Sequence, residues 1–343
     1  MRRATRIAGL GATLAAVAAC GSTQEVREPD VVVRGSTPQA ELTPVRPDSP
    51  RRADAVRIAV VTHGQASSPF WVTVRNGIDA AARQVDASVS YRSPDTYSVP
   101  RMRALVDAAV DGRPDGLVVS LPSPGLAGSV RRAVRAGIPV ISINSGSDIS
   151  RRLGVLTHVG QSESRAGATA GERFAKAGVR RALCVNHEPG NSGPDARCRA
   201  FARALRRSGG RSQVLPIDIQ DRAGTRLQLD RVIRARRIDG VLTLNTDAAE
   251  AALDATQSAR VGRVFLATFD LSPRVLEAVR AGRLRFAVDQ QAYLQGYLPI
   301  MLLTQRIRYG LFPGEGELVA TGPSLVTRRN VAQVIRLNNR GIR

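Results

Sequence analysis

The chain has 343 residues, of which 43% are hydrophobic, so it is long enough for two domains of ordinary size and too apolar to be disordered. No apolar stretch reaches the roughly 18 to 20 residues that a membrane-spanning helix requires. The formal net charge of +21 comes mainly from arginines scattered along predicted helices, with Lys176 as the only lysine. Solvated helix faces account for such scatter better than a phosphate-binding stripe does, so we expect no nucleic-acid partner.

The N-terminus has the pattern of a bacterial lipoprotein signal. Arg2, Arg3 and Arg6 precede a small and apolar run that ends in Val-Ala-Ala-Cys at Cys20. We predict a signal peptide over residues 1–19 and lipidation of Cys20. The protein is then extracytoplasmic and anchored to the cell membrane, which it contacts through the lipid alone. An ordinary signal peptide with an incidental cysteine is the alternative.

After the signal, a polar segment leads into a regular α/β pattern. Residues 20–54 are rich in Pro, Ser, Thr, Glu and Arg, which predicts a flexible tether. From residue 55 onward, short apolar runs alternate with helical patterns, which is typical of βαβ units and parallel sheets. The predicted strands lie near 56–61, 88–92, 116–120, 139–143, 153–158, 181–185, 213–217, 240–244, 263–267 and 285–288. Helices are predicted near 70–84, 100–111 and 126–136. So many strands predict two doubly wound, Rossmann-like lobes.

Neutral amides and hydroxyls dominate the segments that follow the predicted strands. In open parallel sheets the ligand lies beyond the carboxyl ends of the strands, so these side chains are candidates for ligand binding. Helix N-caps favour the same residue types, and a capping role stays open at each single position. Asn144, Asn245 and Gln290 are large amides that need hydrogen-bond partners if they are buried.

The cysteines other than Cys20 form one pair, Cys184 and Cys198. An even pair outside the cytoplasm predicts a disulfide, and two free buried thiols are the alternative. The cysteines and histidines lack the spacing of a zinc site, so we expect no metal and no cofactor.

Several short motifs follow one another across residues 56–327. They are Arg57-Ile58-Ala59-Val60-Val61 with Pro69-Phe70-Trp71, then Ala136-Gly137-Ile138-Pro139-Val140, Gly190-Asn191-Ser192 with Arg197, and Asn245, Phe269-Asp270 and Gln290. In this order and spacing they resemble the ribose-binding family of periplasmic sugar receptors, which shares its fold with the core of LacI-type repressors. The resemblance implies the type I periplasmic-binding fold, in which two lobes joined by a three-strand hinge close over a ligand.

The resemblance also implies where the lobes begin and end. The chain would cross between them near Gln161, Gln290 and Gly322. The N-terminal lobe would consist of residues 55–161 plus 291–321. The C-terminal lobe would consist of residues 162–290 plus 322–343.

Ligand-binding roles follow from the same resemblance. Phe70 and Trp71 would sandwich the ligand with help from Ser68, and anchoring of the first helix is the alternative role of Trp71. Pentose-binding members of the family carry an Asp-Arg pair where this chain has Asn144 and Ser145, and a longer loop brings in His63 and Gln65. The predicted ligand-binding residues are His63, Gln65, Ser68, Phe70, Trp71, Asn144, Ser145, Asn191, Arg197, Asn245, Asp270 and Gln290.

The predicted function is therefore that of a solute-binding protein without catalytic residues. It would act as a monomer, capturing a small neutral sugar or polyol and delivering it to the permease of an ABC transporter. Delivery of a signal to a membrane receptor stays open as an alternative. A repressor would need an N-terminal helix-turn-helix where this chain has a signal peptide. The motifs of common hydrolases, nucleotide-binding proteins and zinc enzymes do not occur in the sequence, so we do not expect an enzyme.

Overall fold

The computed structural model describes residues 55–64, 67–258, 264–313 and 316–343. The predicted signal peptide, Cys20 and the predicted tether lie outside these ranges. Within them, no helix combines the length and the apolar character needed to cross a membrane.

The helices and strands alternate along nearly the whole described chain. In order they are β1 Val56–Val61, α1 Pro69–Val85, β2 Ala87–Arg92, α2 Val99–Asp111, β3 Gly116–Ser120, α3 Ala127–Arg135, β4 Val140–Ile143, β5 Thr157–Gln161, α4 Glu163–Lys176, β6 Arg181–Asn186, α5 Ser192–Arg206, β7 Arg211–Pro216, α6 Arg222–Ala235, β8 Gly240–Thr243, α7 Thr246–Ser258, β9 Phe265–Phe269, α8 Pro273–Arg280, β10 Phe286–Asp289, α9 Ala292–Tyr309, β11 Leu318–Gly322, β12 Ser324–Val326 and α10 Val331–Asn338.

The strands form two six-stranded sheets with equivalent topology. The first has the order β11-β5-β4-β3-β1-β2, and the second has the order β12-β10-β9-β8-β6-β7. All pairings are parallel except that of β10 with β12. Each sheet is covered on both faces by helices and buries an apolar cluster against each face. The predicted fold class, two doubly wound lobes of the type I periplasmic-binding fold, is confirmed.

Helix α1 illustrates how the sequence pattern produces this packing. Its buried residues Trp71, Val74, Ile78 and Ala81 recur at steps of three and four, which places them on one face. That face packs on the strand residues of the first sheet and on α9. Ser68 caps the helix and accepts a hydrogen bond from the backbone of Trp71.

One predicted strand is displaced along the chain. Residues 153–158 are predicted as a strand, but β5 begins at Thr157, so His158 lies near the start of the strand and not at its end. Leu153 ends a 3₁₀ turn, and Gly154 follows in the left-handed region at a φ of 80°. Leu153 and Val155 are buried in the core of the first lobe. The apolar run therefore reflects a packed loop, which hydrophobicity alone does not distinguish from a strand.

The chain passes between the two sheets three times. Strand β5 ends at Gln161 in the first sheet, and the following α4 packs on α5 beside the second sheet. Strand β10 ends at Asp289 in the second sheet, and the following α9 packs on α1. Between β11 and β12 the chain passes back through a cis peptide bond at Gly322-Pro323. We propose that these three segments are the hinge between the lobes.

A disulfide joins Cys184 on β6 to Cys198 on α5, with the Cα atoms 5.7 Å apart. Both residues are buried in the core of the second lobe. The bridge ties the N-terminal part of α5 to β6 and so encloses both the loop that carries Asn191 and the first turns of α5, which carry Arg197.

Candidate functional site

A cavity of about 310 Å³ lies between the carboxyl ends of the two sheets. Its volume lies within the range of small-molecule sites in proteins. Ten of the twelve predicted ligand-binding residues line it, namely His63, Ser68, Phe70, Trp71, Asn144, Asn191, Arg197, Asn245, Asp270 and Gln290. Gln65 lies outside the described residues.

Ser145 is the predicted residue that the structure does not bring to the cavity. Its side chain is buried, and its hydroxyl donates a hydrogen bond of 3.1 Å to Oδ1 of Asn144. A Cβ atom on Gly193 would lie only 2.7 Å from that hydroxyl oxygen. Ser145 therefore packs against the start of α5 and supports Asn144, because the turn after β4 directs only the first of the two side chains into the cavity.

A buried hydrogen-bonded network forms the second-lobe wall of the cavity. Arg197 donates to both carboxylate oxygens of Glu163, with 2.9 Å between Nη2 and Oε1. The same Nη2 donates to Oε1 of Gln290 at 2.9 Å, and Nε2 of Gln290 donates to Oδ1 of Asp270 at 2.5 Å. The guanidinium also lies 4.7 Å from the ring centre of Phe269. The network holds each polar side chain in one orientation and offsets the charge of Arg197 with that of Glu163.

Asn144 and Asp270 occupy equivalent places in the two lobes. Each is the first residue after a strand, β4 and β9 respectively, and each has a left-handed backbone, with φ of 62° and 67°. Asn and Asp tolerate this conformation better than other residues that have a Cβ atom. The sharp turn explains why both side chains point back over the end of the strand into the cavity.

Asp270 is a cavity residue with a strongly perturbed acidity. Burial raises the pKa of this carboxyl to about 7, although Arg197 and the hydrogen bond from Gln290 act in the opposite direction. A carboxyl in this state gains from a further hydrogen-bond donor, because a donor stabilises the charged form.

His63 connects the two lobes at one rim of the cavity. It follows β1 of the first lobe, where its Nδ1 is 2.8 Å from the hydroxyl of Ser120. Its Nε2 is 3.1 Å from Nδ2 of Asn191 and 3.5 Å from a carboxylate oxygen of Glu188, both in the second lobe. Burial by itself would raise the pKa of Glu188, but the neighbouring histidines and Asn191 outweigh it and hold that pKa at about 2.

The backbone closes the same rim. The amide of Ser192 at the start of α5 donates a 2.8 Å hydrogen bond to the carbonyl of Pro122 in the first lobe. The lobes are therefore in direct contact, and the cavity is covered on this side.

The aromatic wall belongs to the first lobe. Trp71 is only 5% exposed and meets the rings of Phe70 and His63 edge to face, with ring centres 5.0 and 5.1 Å away. Its indole also covers Gly64, where a Cβ atom would lie 1.7 Å from Nε1. Trp71 thus packs in the core and also lines the cavity, while Phe70 is half-buried beside it. Both the anchoring and the ligand-stacking interpretation of Trp71 fit this position.

Other cavity residues were not among the predicted ligand-binding residues. They include Thr96, Tyr97, His187, Glu188, Asp218, Gln220, Thr246 and Asp247. Each follows the carboxyl end of a strand, so the rule that identified Asn245 also applies to them. Thr96 and Asp218 follow the edge strands β2 and β7, which lie at one end of each sheet. Burial, reinforced by Glu188 and Asp195, raises the pKa of Tyr97 to about 12, so this phenol stays a hydrogen-bond donor.

No cluster of three or more His, Cys, Asp or Glu side chains within the described ranges is arranged to hold a metal ion.

Comparison with known proteins identifies the family. The model of the periplasmic binding protein domain matches residues 58–310. The chain belongs to this family. A carbohydrate transporter protein from Acidothermus cellulolyticus, solved in complex with myo-inositol, is 33% identical, with 84% of this chain and 100% of that chain covered and a TM-score of 0.79.

More distant relatives point to the same family. The xylose/arabinose-binding protein of Sulfolobus acidocaldarius is 22% identical over 302 residues, covering 80% of this chain and 72% of the relative. The ribose import binding protein of Escherichia coli is 23% identical over 242 residues, covering 69% of this chain and 79% of the relative. The predicted resemblance to periplasmic sugar-binding proteins is confirmed, as is the prediction of a solute-binding protein in place of an enzyme.

Proposed function

We propose that this periplasmic binding protein captures one small neutral sugar or cyclic polyol between its lobes and, as a monomer, delivers it to the permease of an ABC importer. The observation that carries the proposal is the cavity itself, in which aromatic edges face a hydrogen-bonded network of amides and compensated charges. Aromatic surface suits the C–H face of a sugar ring, and the network suits its hydroxyl groups.

The balance of charge argues for a neutral ligand over an anionic one. Arg197 is the one guanidinium among the described residues that line the cavity, and its charge is already offset by Glu163. Carboxylates of Glu188, Asp247 and Asp270 face the same space. An anion would therefore meet repulsion without a free cation to bind it, whereas hydroxyl groups can donate to these carboxylates.

The relatives support this substrate class. The Acidothermus protein was solved with myo-inositol, and the two other relatives are named for xylose, arabinose and ribose. All four compounds are small, neutral and densely hydroxylated. The name of the Escherichia coli relative includes import, which favours delivery to a transporter over delivery of a signal.

Ligand titration tests the proposal directly. Trp71 is the only tryptophan of the chain and lies at the cavity, so ligand binding is expected to change its fluorescence. We expect saturable changes with at least one of myo-inositol, xylose, arabinose and ribose, together with a raised melting temperature at saturation. Glucuronate and free amino acids serve as controls and are expected to give neither effect. Tighter binding of these charged compounds than of every neutral one would overturn the substrate class and leave the fold untouched.

We also propose that a lipid on Cys20 anchors the protein to the outer face of the cell membrane. Replacing Cys20 with serine is then expected to move the protein from the membrane pellet to the soluble fraction, since a diacylated cysteine anchors stably. Membranes are washed in roughly 1 M salt, where charges are screened beyond about 3 Å. Persistence of the Cys20→Ser protein in the washed pellet would refute the anchor.

A further inference from the structure

The second lobe has two chemically different edges. The carboxyl ends of its strands form the cavity, where Glu188, Asp247 and Asp270 bring negative charge. The opposite edge collects the amino ends of the strands together with the carboxyl ends of the helices. A helix C-terminus carries partial negative charge and favours nearby cations. The last turns of α4 and α5 accordingly contain Arg173 and Lys176, and Arg203 and Arg206.

Five arginines concentrate at the amino ends of the neighbouring strands β6, β7 and β8. Arg180 and Arg181 lead into β6, Arg211 begins β7, and Arg236 and Arg237 precede β8. We call this surface the basic edge. Arg181 and Arg211 pair directly in the register of β6 and β7, so their side chains stand side by side. Arg181 is half-buried and the other four are exposed.

Among the described residues, one carboxylate contacts the basic edge, and it does so through backbone amides. Asp239 is the acidic residue that contacts it, and its two oxygens accept hydrogen bonds from the backbone amides of Arg180 and Arg181 at 2.7 to 3.2 Å. Among the described residues, no carboxylate forms an ion pair with a guanidinium of the basic edge. Elsewhere in the lobe, Arg222 and Arg274 both pair with Glu250.

The guanidinium groups of the basic edge contact neutral oxygens instead. Arg181 donates from Nε to the carbonyl of Arg237 at 3.0 Å, and Arg236 donates to the side-chain oxygen of Gln213. Each guanidinium has five N–H donors, so these single bonds leave most donors available. A depression of about 250 Å³ lies between these side chains and is lined by Arg181, Arg211, Gln213 and Arg236. This depression is large enough for a phosphate group.

We propose that the basic edge is a docking surface for the anionic phospholipid head groups of the membrane. Guanidinium groups bind phosphate in a bidentate manner, and basic surface clusters are attracted to anionic membranes. The charges extend across the ends of three strands, which fits a field of head groups better than one isolated phosphate. The cavity lies at the opposite ends of these strands, so a ligand can enter and leave while the basic edge is bound.

The proposal rests on the proposed membrane location and adds to it. The sequence predicts contact with the membrane through the lipid on Cys20 alone, whereas the basic edge gives the folded part a contact of its own. A tether over residues 20–54 would leave the lobe free to turn this surface toward the membrane.

Vesicle binding tests the proposal without the anchor and without a sugar. The full chain with Cys20→Ser is titrated with phosphatidylcholine vesicles that contain either no phosphatidylglycerol or roughly 30% of it. The test variant combines Arg181→Gln, Arg211→Gln and Arg236→Gln. The control variant combines Arg131→Gln, Arg135→Gln and Arg151→Gln, three exposed arginines of the first lobe. Both variants lose three charges and keep the same residues 1–54, so general charge effects cancel.

We expect the parent protein and the control variant to bind the anionic vesicles with affinities within about threefold of each other. The test variant is expected to bind these vesicles roughly a hundredfold more weakly, because each arginine contributes about fivefold to the affinity. Arg→Lys at the three test positions is expected to retain most of the affinity. Equal losses in the test and control variants would overturn the proposal. The proposal would also be overturned if 10 mM inorganic phosphate, added at constant ionic strength, fully displaced the parent protein from the anionic vesicles, because that outcome indicates a single phosphate site. Failure of every sugar to bind would refute the proposed substrate without affecting these outcomes.

Discussion

Replacing Glu163 with alanine is expected to lower the free energy of unfolding by about 3 to 5 kcal/mol. The side chains of Glu163 and Arg197 are 5% and 4% exposed, and the guanidinium donates to both carboxylate oxygens. Gln161 donates to the same carboxylate at 3.0 Å. The substitution leaves a buried cation that, among the described residues, keeps only Gln290 as a hydrogen-bond acceptor. Removing the paired partner of a buried charge is among the costliest defects in a protein core.

Urea unfolding followed by circular dichroism measures this effect. Glu172 on the same helix is exposed, so Glu172→Ala is a matched control with an expected change below about 0.5 kcal/mol. Glu163→Gln retains an acceptor oxygen, so its loss of unfolding free energy is expected to lie between those of Glu163→Ala and Glu172→Ala. A Glu163→Ala protein within about 1 kcal/mol of the parent would show that the pair does not hold the lobe together.

Replacing Asp270 with alanine is expected to weaken binding of the preferred neutral polyol by roughly ten- to a hundred-and-fifty-fold. Hydrogen bonds from hydroxyl groups to a charged acceptor contribute about 1.5 to 3 kcal/mol each. Asp270 accepts one hydrogen bond, from Gln290, among the described residues, so it has acceptor capacity left for a ligand. Asp148 is an exposed carboxylate away from the cavity, and Asp148→Ala is expected to change the affinity less than about twofold.

The acidity of Asp270 adds a pH dependence with a defined sign. Burial raises the pKa of this carboxyl to about 7 in the ligand-free cavity. Ligand hydroxyl groups bind the ionised form, so at pH below 7 binding must release a proton. The affinity is then expected to fall about tenfold per pH unit over roughly the first one to two units below 7, and to be constant above 7. The Asp270→Asn variant is expected to bind the polyol weakly and with an affinity that does not depend on pH. Calorimetry in buffers of different ionisation enthalpy measures both the affinity and the number of protons released on binding. A pH-independent affinity in the parent protein would show that the ionised carboxylate of Asp270 does not bind the ligand.

The lobe contact through His63 shows where inference from the sequence stopped. His63 is predicted as a ligand-binding residue because a long loop follows β1. The structure places it at the cavity but also gives it hydrogen-bond partners in both lobes, Ser120 and Asn191. These partners lie 57 and 128 residues away in the chain, and a local sequence pattern does not predict a hydrogen bond between residues so far apart.

The α/β fold followed from the local periodicity of the amino-acid sequence, and most of the candidate site residues followed from the resemblance of its motifs to the ribose-binding family. Alternating apolar runs specify parallel strands, and a ligand lies where such strands end, so Asn245 and Gln290 could be named from position, whereas the ligand-binding role of Asp270 rested on the family resemblance. Tertiary structure decided everything that depends on distant partners. Glu163 offsets the charge of Arg197 from another helix, Ser145 turns away from the cavity because α5 packs against it, and scattered arginines become one basic edge because three strands begin side by side.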